Sequence, residues 1–173
     1  MIVMTLNCRG LASIPKKLAM RRLVDKQFID VLFLQETKCD GVILMGEMES
    51  LFKDWKFVSM DPKGKLGGLL LGWRTSHFQL LNAWAMGSSL CASIYSIELK
   101  MALCCVNLYG PYVDRERFWI NLFKMDCLKS SKLILGGDLN FSIGFSKIWG
   151  VKAKVDILSY FSLGRWMGLV LWI

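Results

Sequence analysis

The chain has 173 residues, 54% of them hydrophobic, and its 22 lysines and arginines against 14 acidic residues give a net charge of +8. This length is enough for one domain with a hydrophobic core, and no change of composition marks a second one, so we interpret residues 1–173 as a single domain. No apolar run approaches the ~18 residues that a membrane-spanning helix needs, which argues against a membrane protein. The positive charge favours a polyanionic partner, and nucleic acid is the most common one in cells.

The N-terminus and the cysteines favour a reducing compartment inside the cell. No basic segment precedes the short apolar run at the N-terminus, so we predict no signal peptide and a nuclear or cytoplasmic location. The six cysteines include no CxxC pair, and the single histidine, His77, is too little to complete a zinc site. We expect reduced thiols and interpret the adjacent Cys104 and Cys105 as small core residues.

The first part of the chain has the pattern of a βαβ unit. Strands are predicted over residues 2–7 and 31–34, and a helix is predicted over residues 15–28 between them. The basic residues of this helix are interpreted as a solvated face. Because such a unit joins parallel strands, Asn7 and Glu36, which follow the two strands, are expected at one edge of the sheet.

The middle of the chain has a different pattern of apolar and polar residues. Short strand-like runs separated by Gly, Ser, Asn or Lys suggest a meander of antiparallel strands, at residues 55–60, 67–73, 77–86, 90–99 and 101–110. A helix is predicted to begin after Asp114, which is a suitable N-cap residue.

The stretch LILGGDLNF follows this helix and is predicted to be a buried strand over residues 132–135 that turns at Gly136 and Gly137. Residues two apart in a strand point to the same face, so Asp138 and Asn140 are expected to face one spot. Beyond residue 141 the pattern weakens, with a short helix predicted near residues 157–163 before the apolar end GLVLWI.

Polar residues therefore follow four of the predicted strands. Each one alone is more often a turn former than a catalyst. Glu36 is different, because it closes a buried strand without a turn signal, and a carboxylate there needs a cation or a donor to offset its desolvation. A second carboxylate at the same edge, Asp138, favours a site for a hard cation such as Mg²⁺. The full set is Asn7, Glu36, Asn107 with Tyr109, and Asp138 with Asn140.

Four motifs resemble, in order, those of the endonuclease/exonuclease/phosphatase superfamily, which includes apurinic/apyrimidinic endonucleases and DNase I. Three of them are most similar to the endonuclease domain of plant LINE-type non-LTR retrotransposons. The resemblance covers residues 3 to about 160 and implies an α/β fold, the DNase I-like sandwich of two sheets. The motifs are LNCRGL (6–11), LFLQETK (32–38), NLYGPY (107–112) and GGDLNF (136–141).

The resemblance also implies a reaction, the metal-dependent nicking of a DNA strand that leaves a 3′-hydroxyl. Glu36 and Asn7 would bind Mg²⁺, with Mn²⁺ as an alternative. Asp138, assisted by Asn140, would orient or deprotonate the attacking water, and Tyr109 would contact the scissile phosphate.

Two further residues, Asn107 and Arg9, are expected to bind the substrate. DNA is the expected partner, and neither a membrane nor an obligate protein partner is inferred.

The family pattern continues with a further metal-site aspartate and a Ser-Asp-His motif that have no counterpart in this sequence. His77 lies too early in the chain to be the family histidine. We therefore expect a domain without its C-terminal strands. Removal of one transition-state contact typically costs about 10² to 10³ in rate, so the expected activity is very low or absent.

Two other hypotheses stay open. One is a phosphatase for inositol lipids or sphingomyelin, which in the same superfamily shares the glutamate and the Asp-x-Asn motif. The other is a non-catalytic, basic nucleic-acid-binding remnant, whose binding through lysines and arginines would survive a Glu36→Gln substitution.

Overall fold

The computed structural model describes residues 1–62, 67–124 and 132–140. Within these residues the chain forms eight strands and three helices. In chain order they are β1 (Val3–Asn7), α1 (Ile14–Lys26), β2 (Val31–Gln35), α2 (Gly41–Leu51), β3 (Trp55–Met60), β4 (Leu69–Arg74), β5 (Phe78–Met86), β6 (Ser89–Ser96), β7 (Met101–Tyr109), α3 (Arg115–Phe123) and β8 (Leu133–Asp138).

The strands form two four-stranded sheets, with the orders β1-β2-β4-β3 and β5-β6-β7-β8. β1 and β2 are parallel neighbours, which confirms the predicted βαβ unit. The predicted single meander is wrong, because β3 and β4 belong to the first sheet and β5 begins the second. β4 already pairs with β2 on one side and with β3 on the other, so it has no free edge for β5.

The two sheets pack face to face. Phe33 and Leu71 of the first sheet share a core with Leu90, Ile94 and Cys105 of the second. Helices α1 and α2 cover the outer face of the first sheet, and α3 covers the second. The residues of β2 are buried on both faces, which explains why this strand is continuously apolar in sequence.

Helix α2 was not predicted from the sequence. Its buried side is formed by Gly41, Leu44 and Met48, but Val42 and Ile43 on the other side are exposed. Apolar residues around most of the helix hide the periodicity that predicts an amphipathic helix. The Asp40 carboxylate caps the helix by accepting a hydrogen bond from the Ile43 amide at 3.0 Å.

The predicted turn at Gly136 and Gly137 is also wrong. Both glycines continue β8 and pair with Asn107 and Leu108 of β7. A Cβ atom on Gly137 would lie 2.0 Å from the Leu108 carbonyl oxygen, and the residue has a φ of +145°. The glycines thus permit the close approach of two strands rather than a change of direction.

Some predictions lie outside the described residues, namely the helix near residues 157–163 and the apolar segment GLVLWI. No helix of the described part is long and apolar enough to cross a membrane. Cys105 is fully buried and Cys104 packs partly buried against the α3 side of the second sheet, in keeping with their interpretation as core residues.

Candidate active site

The carboxyl ends of four strands meet on one side of the sandwich. Asn7 ends β1 beside Gln35 of β2, and Glu36 directly follows. Tyr109 and Asp138 end β7 and β8 as paired residues of the second sheet. β1 contacts β8, and β2 contacts β7, so the two sheets place these ends together.

Hydrogen bonds join four of the predicted site residues. The Asn7 amide Nδ2 donates to Glu36 Oε1 at 2.9 Å and to Asp138 Oδ2 at 2.5 Å. The Tyr109 hydroxyl donates to the same Glu36 Oε1 at 3.0 Å. One carboxamide therefore bridges two carboxylates that are 102 positions apart in sequence, with a phenol beside them.

The Glu36 carboxylate is held in its ionised form. Hydrogen bonds from Asn7 and from Lys38 are the main causes that lower its pKa to about 2, and they outweigh the opposing effect of burial. Lys38 Nζ lies 2.9 Å from Glu36 Oε2. Only 8% of Glu36 is exposed, so its charge acts in a partly dehydrated environment.

The backbone around Glu36 is unusual for residues with side chains. Glu36 and Lys38 both have positive φ angles, 52° and 53°. The segment is held by the amides of Thr37 and Lys38, which donate to the carbonyl oxygens of Gly68 and Gly67 at 3.1 and 3.2 Å. Such conformations persist where surrounding contacts fix them, and they often occur at functional sites.

Tyr109 is a hydrogen-bond donor in this cluster. Burial raises the pKa of its hydroxyl above the ordinary value, and hydrogen bonds with Tyr112 and Glu36 act in the same direction. The phenol therefore stays protonated at neutral pH and can donate to an anionic oxygen.

Asp138 and Asn140 are close together, but not as alternate residues of a strand. β8 ends at Asp138, and Asn140 has a φ of 50°. The Asn140 backbone amide donates to Asp138 Oδ1 at 3.0 Å, whereas its side-chain Nδ2 donates to the Gly110 carbonyl at 2.5 Å. The expectation that both side chains face one spot is thus corrected, since the Asn140 amide nitrogen is directed to the loop after β7.

Asn107 does not lie at the surface, as a substrate-binding residue would. It has no exposed area. Its Nδ2 donates to the carbonyls of Leu34 and Leu70, each at 3.0 Å, and its Oδ1 accepts from Gln35 Nε2 at 2.6 Å. The expected direct contact with substrate does not fit this burial, because the polar atoms of the side chain already join the two sheets.

Arg9 lies at the rim of the site. It is exposed, and its backbone amide donates to Asn7 Oδ1 at 3.0 Å. Lys16 of α1 holds the same loop, because its Nζ donates to the carbonyl of Gly10 at 2.9 Å and to two neighbouring carbonyls. Lys16 is itself exposed, as the interpretation of the α1 basic residues as a solvated face expects. That interpretation is wrong for Lys17, which is 2% exposed and pairs with Glu47.

Sequence reasoning assigned no role to Lys38 or Gln35, although both lie within the quoted motif LFLQETK. Gln35 is 1% exposed and donates to Thr5 Oγ1 and to Asn107. The available signal was a polar side chain at the end of an otherwise apolar buried strand, which requires an internal partner.

His77 lies at the opposite end of β2 from Glu36. Its Nδ1 is 2.8 Å from Asp30 Oδ1, and Asp30 immediately precedes β2. The six residue steps from Asp30 to Glu36 span about 20 Å of extended chain. The structure therefore keeps His77 away from the candidate site.

The donor set of the site fits a magnesium ion better than a zinc ion. Among the described residues no group of three His, Cys, Asp or Glu side chains is arranged to hold a metal. Mg²⁺ is usually bound by one or two carboxylates, with water and substrate phosphates completing the coordination. The ionised Glu36 matches that need, and Lys38 balances its charge in this structure. The Asn7 amide oxygen accepts from the Arg9 amide, while the Asn7 nitrogen faces Glu36 and Asp138, so Asn7 could bind a metal only with its carboxamide turned over.

Comparison with known proteins gives matches in structure but not in sequence. Neither protein-family models nor curated proteins match the chain. A humanized TDP2 from D. rerio matches with a TM-score of 0.62 and 15% identity over 81% of this chain and 62% of that one. The human Nocturnin catalytic domain matches with a TM-score of 0.62 and 17% identity over 81% and 64%.

A third structure of this kind is an endonuclease/exonuclease/phosphatase family protein from Bacteroides thetaiotaomicron. It matches with a TM-score of 0.62 and 15% identity over 80% of this chain and 61% of that one. The chain thus spans less than two thirds of each of these three structures. At such identities the likeness shows the fold alone: the chain has the DNase I-like fold, a two-sheet α/β sandwich, that endonuclease/exonuclease/phosphatase proteins adopt.

Proposed function

We propose that this chain is a metal-dependent phosphodiester hydrolase that nicks DNA, of the kind found in LINE-type retrotransposons. The observation that carries the proposal is the link through Asn7 between Glu36 and Asp138, with the Tyr109 hydroxyl on the same Glu36 oxygen. Two carboxylates, an amide and a phenol at the strand ends of this fold suit phosphoryl chemistry. D. rerio TDP2, a structural neighbour, has been solved with a single-stranded DNA product, which supports a nucleic-acid substrate.

Glu36 would hold the metal, and Asn7 would join it with its carboxamide turned so that Oδ1, which accepts from the Arg9 amide in this structure, faces Glu36. Mg²⁺ or Mn²⁺, when bound there, supplies a positive charge that neutralises the phosphate in the transition state. Asn7 and then Lys38, whose Nζ lies 2.9 Å from Glu36 Oε2, lower the pKa of the Glu36 carboxyl, and Lys38 would supply a second positive charge beside the phosphate.

Asp138 would take the proton of the attacking water. Its two oxygens accept hydrogen bonds from Asn7 and from the Asn140 backbone, so the carboxylate is fixed in orientation. Asn140 contributes by holding Asp138 and the loop at Gly110 in place. The Tyr109 hydroxyl donates a hydrogen bond to Glu36 in this structure. With substrate bound, the same hydroxyl would donate to a phosphate oxygen.

Substrate binding falls to exposed basic groups at the rim, of which Arg9 is the one beside Asn7. Asn107 would act through Gln35, which precedes Glu36, and not by touching DNA. The only histidine of this sequence lies away from the site, so a phosphate-binding histidine is not supplied by the chain. We therefore expect hydrolysis to be slower by about 10² to 10³ than in a site that has one. Action on DNA in the nucleus or cytoplasm is part of the proposal.

The test is cleavage of an end-labelled DNA duplex in the presence of Mg²⁺, with the nicked strand then offered to a DNA polymerase. We expect nicks with extendable 3′-hydroxyl ends, lost on addition of EDTA and in Asp138→Asn. Phosphate release from an inositol phospholipid or sphingomyelin without DNA cleavage would favour the phosphatase hypothesis instead. DNA binding with neither product would favour the non-catalytic hypothesis.

A further inference from the structure

A cavity of about 360 Å³ lies directly beside the candidate active site. It is formed where β3 ends, β4 begins, β5 turns into β6, and β7 ends. Its walls are mainly apolar and aromatic, with Met60, Leu69, Tyr109, Pro111, Tyr112 and Val113 among the lining residues. Its size is within the range of small-molecule pockets.

The cavity shares two walls with the site. On one side Tyr109 lines the cavity, and its hydroxyl donates to Glu36 at 3.0 Å. On the other side Gly67 and Gly68 line the cavity, and their carbonyls accept hydrogen bonds from Lys38 and Thr37. A group that enters the cavity therefore contacts Tyr109, the residue that also contacts Glu36 at the proposed phosphate position.

The chemistry of the walls favours a flat, uncharged, aromatic ligand. Tyr112 is 66% exposed, and its ring meets the Tyr109 ring edge to face, with centroids 6.5 Å apart. Most of the residue is thus accessible to a ligand that stacks on it. The cavity wall also includes Asp61, whose carboxylate repels a phosphate but not a neutral base.

The geometry points to a nucleobase subsite: the cavity receives an unpaired base from the nucleotide next to the cleaved phosphate, stacked on Tyr112. The inference rests on the proposed function, since it takes the strand cleaved at Glu36 to be the strand that delivers the base. Stacking on an exposed aromatic ring is the usual way in which proteins hold unpaired bases without reading their sequence. Such a subsite would direct nicking to distorted or partly single-stranded DNA.

The experiment measures binding of two short duplexes by the chain, in buffer without divalent metal so that the strands stay intact. One duplex carries a single bulged 2-aminopurine, and the other carries a base-less tetrahydrofuran at the same position. We expect quenching of the 2-aminopurine fluorescence on binding. We also expect an affinity on the order of 10- to 100-fold higher for the duplex that has the base.

Two variants separate stacking from hydrogen bonding. Tyr112→Ala removes the ring and is expected to abolish both the quenching and the preference for the base. Tyr112→Phe removes only the hydroxyl that interacts with Tyr109 and is expected to keep both. Equal affinity of the unsubstituted chain for the two duplexes, or a Phe variant that behaves like the Ala variant, would overturn the inference.

Nicking of a fully paired duplex with Mg²⁺, measured in parallel, distinguishes the two proposals. Nicking without base-dependent binding would overturn the base subsite alone. Base-dependent binding without nicking would contradict the hydrolase proposal. Failure to bind either duplex would overturn the subsite, and failure to bind or nick any duplex would overturn both.

Discussion

Glu36 shows how the site is built at the scale of single residues. A carboxylate with 8% exposure would ordinarily be costly to ionise, but Asn7, Lys38 and Tyr109 all donate to it or balance its charge. The stabilisation of its charge is thus a property of the folded chain, because the unfolded chain brings none of the long-range partners together.

The first prediction is a pH dependence of stability that Glu36 controls. Its pKa of about 2 in the folded state is below the ordinary value of 4.5, so between these values the unfolded state binds more protons. The stabilising contribution is therefore complete above about pH 4.5 and falls as the pH is lowered toward 2. Urea unfolding of the chain and of Glu36→Gln, from about pH 6 to pH 3, should show the difference in free energy shrinking as the pH falls. A difference that is independent of pH would contradict the assignment.

The second prediction concerns Asn107 as a positioning residue. Asn107→Leu removes the side-chain donor to the carbonyls of Leu34 and Leu70. It also removes one of the two acceptors of Gln35 Nε2, which keeps Thr5 Oγ1. We expect a loss of about 1–3 kcal/mol in the free energy of unfolding. In nicking kinetics kcat should fall while KM stays near its original value, because the side chain is buried away from DNA. A raised KM with unchanged kcat and stability would show instead that Asn107 binds substrate directly.

At the scale of elements, the sequence identifies the strands better than it identifies which strands pair with one another. β2 is recognisable because both of its faces are buried and four successive apolar residues result. The division of the strands between two sheets is not recognisable, since it depends on which edges are already occupied, as at β4. α2 was missed because Val42 and Ile43 are exposed apolar residues, so the helical period is obscured.

The same limit applies to the site. The proximity of Asn7 to Glu36, and of Tyr109 to Asp138, could be predicted, because each pair lies at the carboxyl ends of neighbouring parallel strands. That the two pairs meet depends on how the two sheets pack, which only the resemblance to a two-sheet sandwich implied. The burial of Asn107 could not be predicted, because the face toward which it points depends on how the second sheet packs against Leu34 and Leu70. The link between Lys38 and Glu36 likewise depends on their positive φ angles, which no local pattern specifies.

The third prediction tests the close contact of β8 with β7. Gly137→Ala would place a Cβ atom against the Leu108 carbonyl in a backbone conformation that side chains rarely adopt. We expect the free energy of unfolding to fall by about 1–3 kcal/mol or more, and nicking to be lost as Asp138 is displaced. Gly46→Ala in α2 is the matched control, since nothing lies within 4 Å of the added atom. It should raise stability by about 0.5–1 kcal/mol, and equal effects of the two substitutions would contradict the account of β8.

At the scale of the whole molecule, the net charge of +8 would favour the proposed binding to DNA. Binding to phosphates releases counterions, so the affinity falls as the salt concentration rises. The logarithm of the binding constant falls with the logarithm of the salt concentration, with a slope of about −0.9 for each phosphate contacted. Arg9, exposed beside Asn7, is placed for one such contact.

The fourth prediction is that Arg9→Ala lowers the magnitude of this salt slope by about 1. Lys100→Ala removes the same charge just before β7, at the end of that strand opposite to Tyr109, and should leave the slope nearly unchanged. Fluorescence anisotropy of a labelled duplex across a salt series measures both. If the two variants changed the slope equally, Arg9 would contribute only to the overall charge.

The measurement that tests the central claim most directly is the nicking of supercoiled plasmid with Mg²⁺ by the chain and by Glu36→Gln at equal concentration. Glu49→Gln is the matched control, because it makes the same change at a surface pair with Lys56. We predict slow nicking that falls by about 10² or more in Glu36→Gln and is unchanged in Glu49→Gln. Nicking at the same rate by all three proteins, or by none of them, would contradict the claim that the cluster at Glu36 hydrolyses DNA.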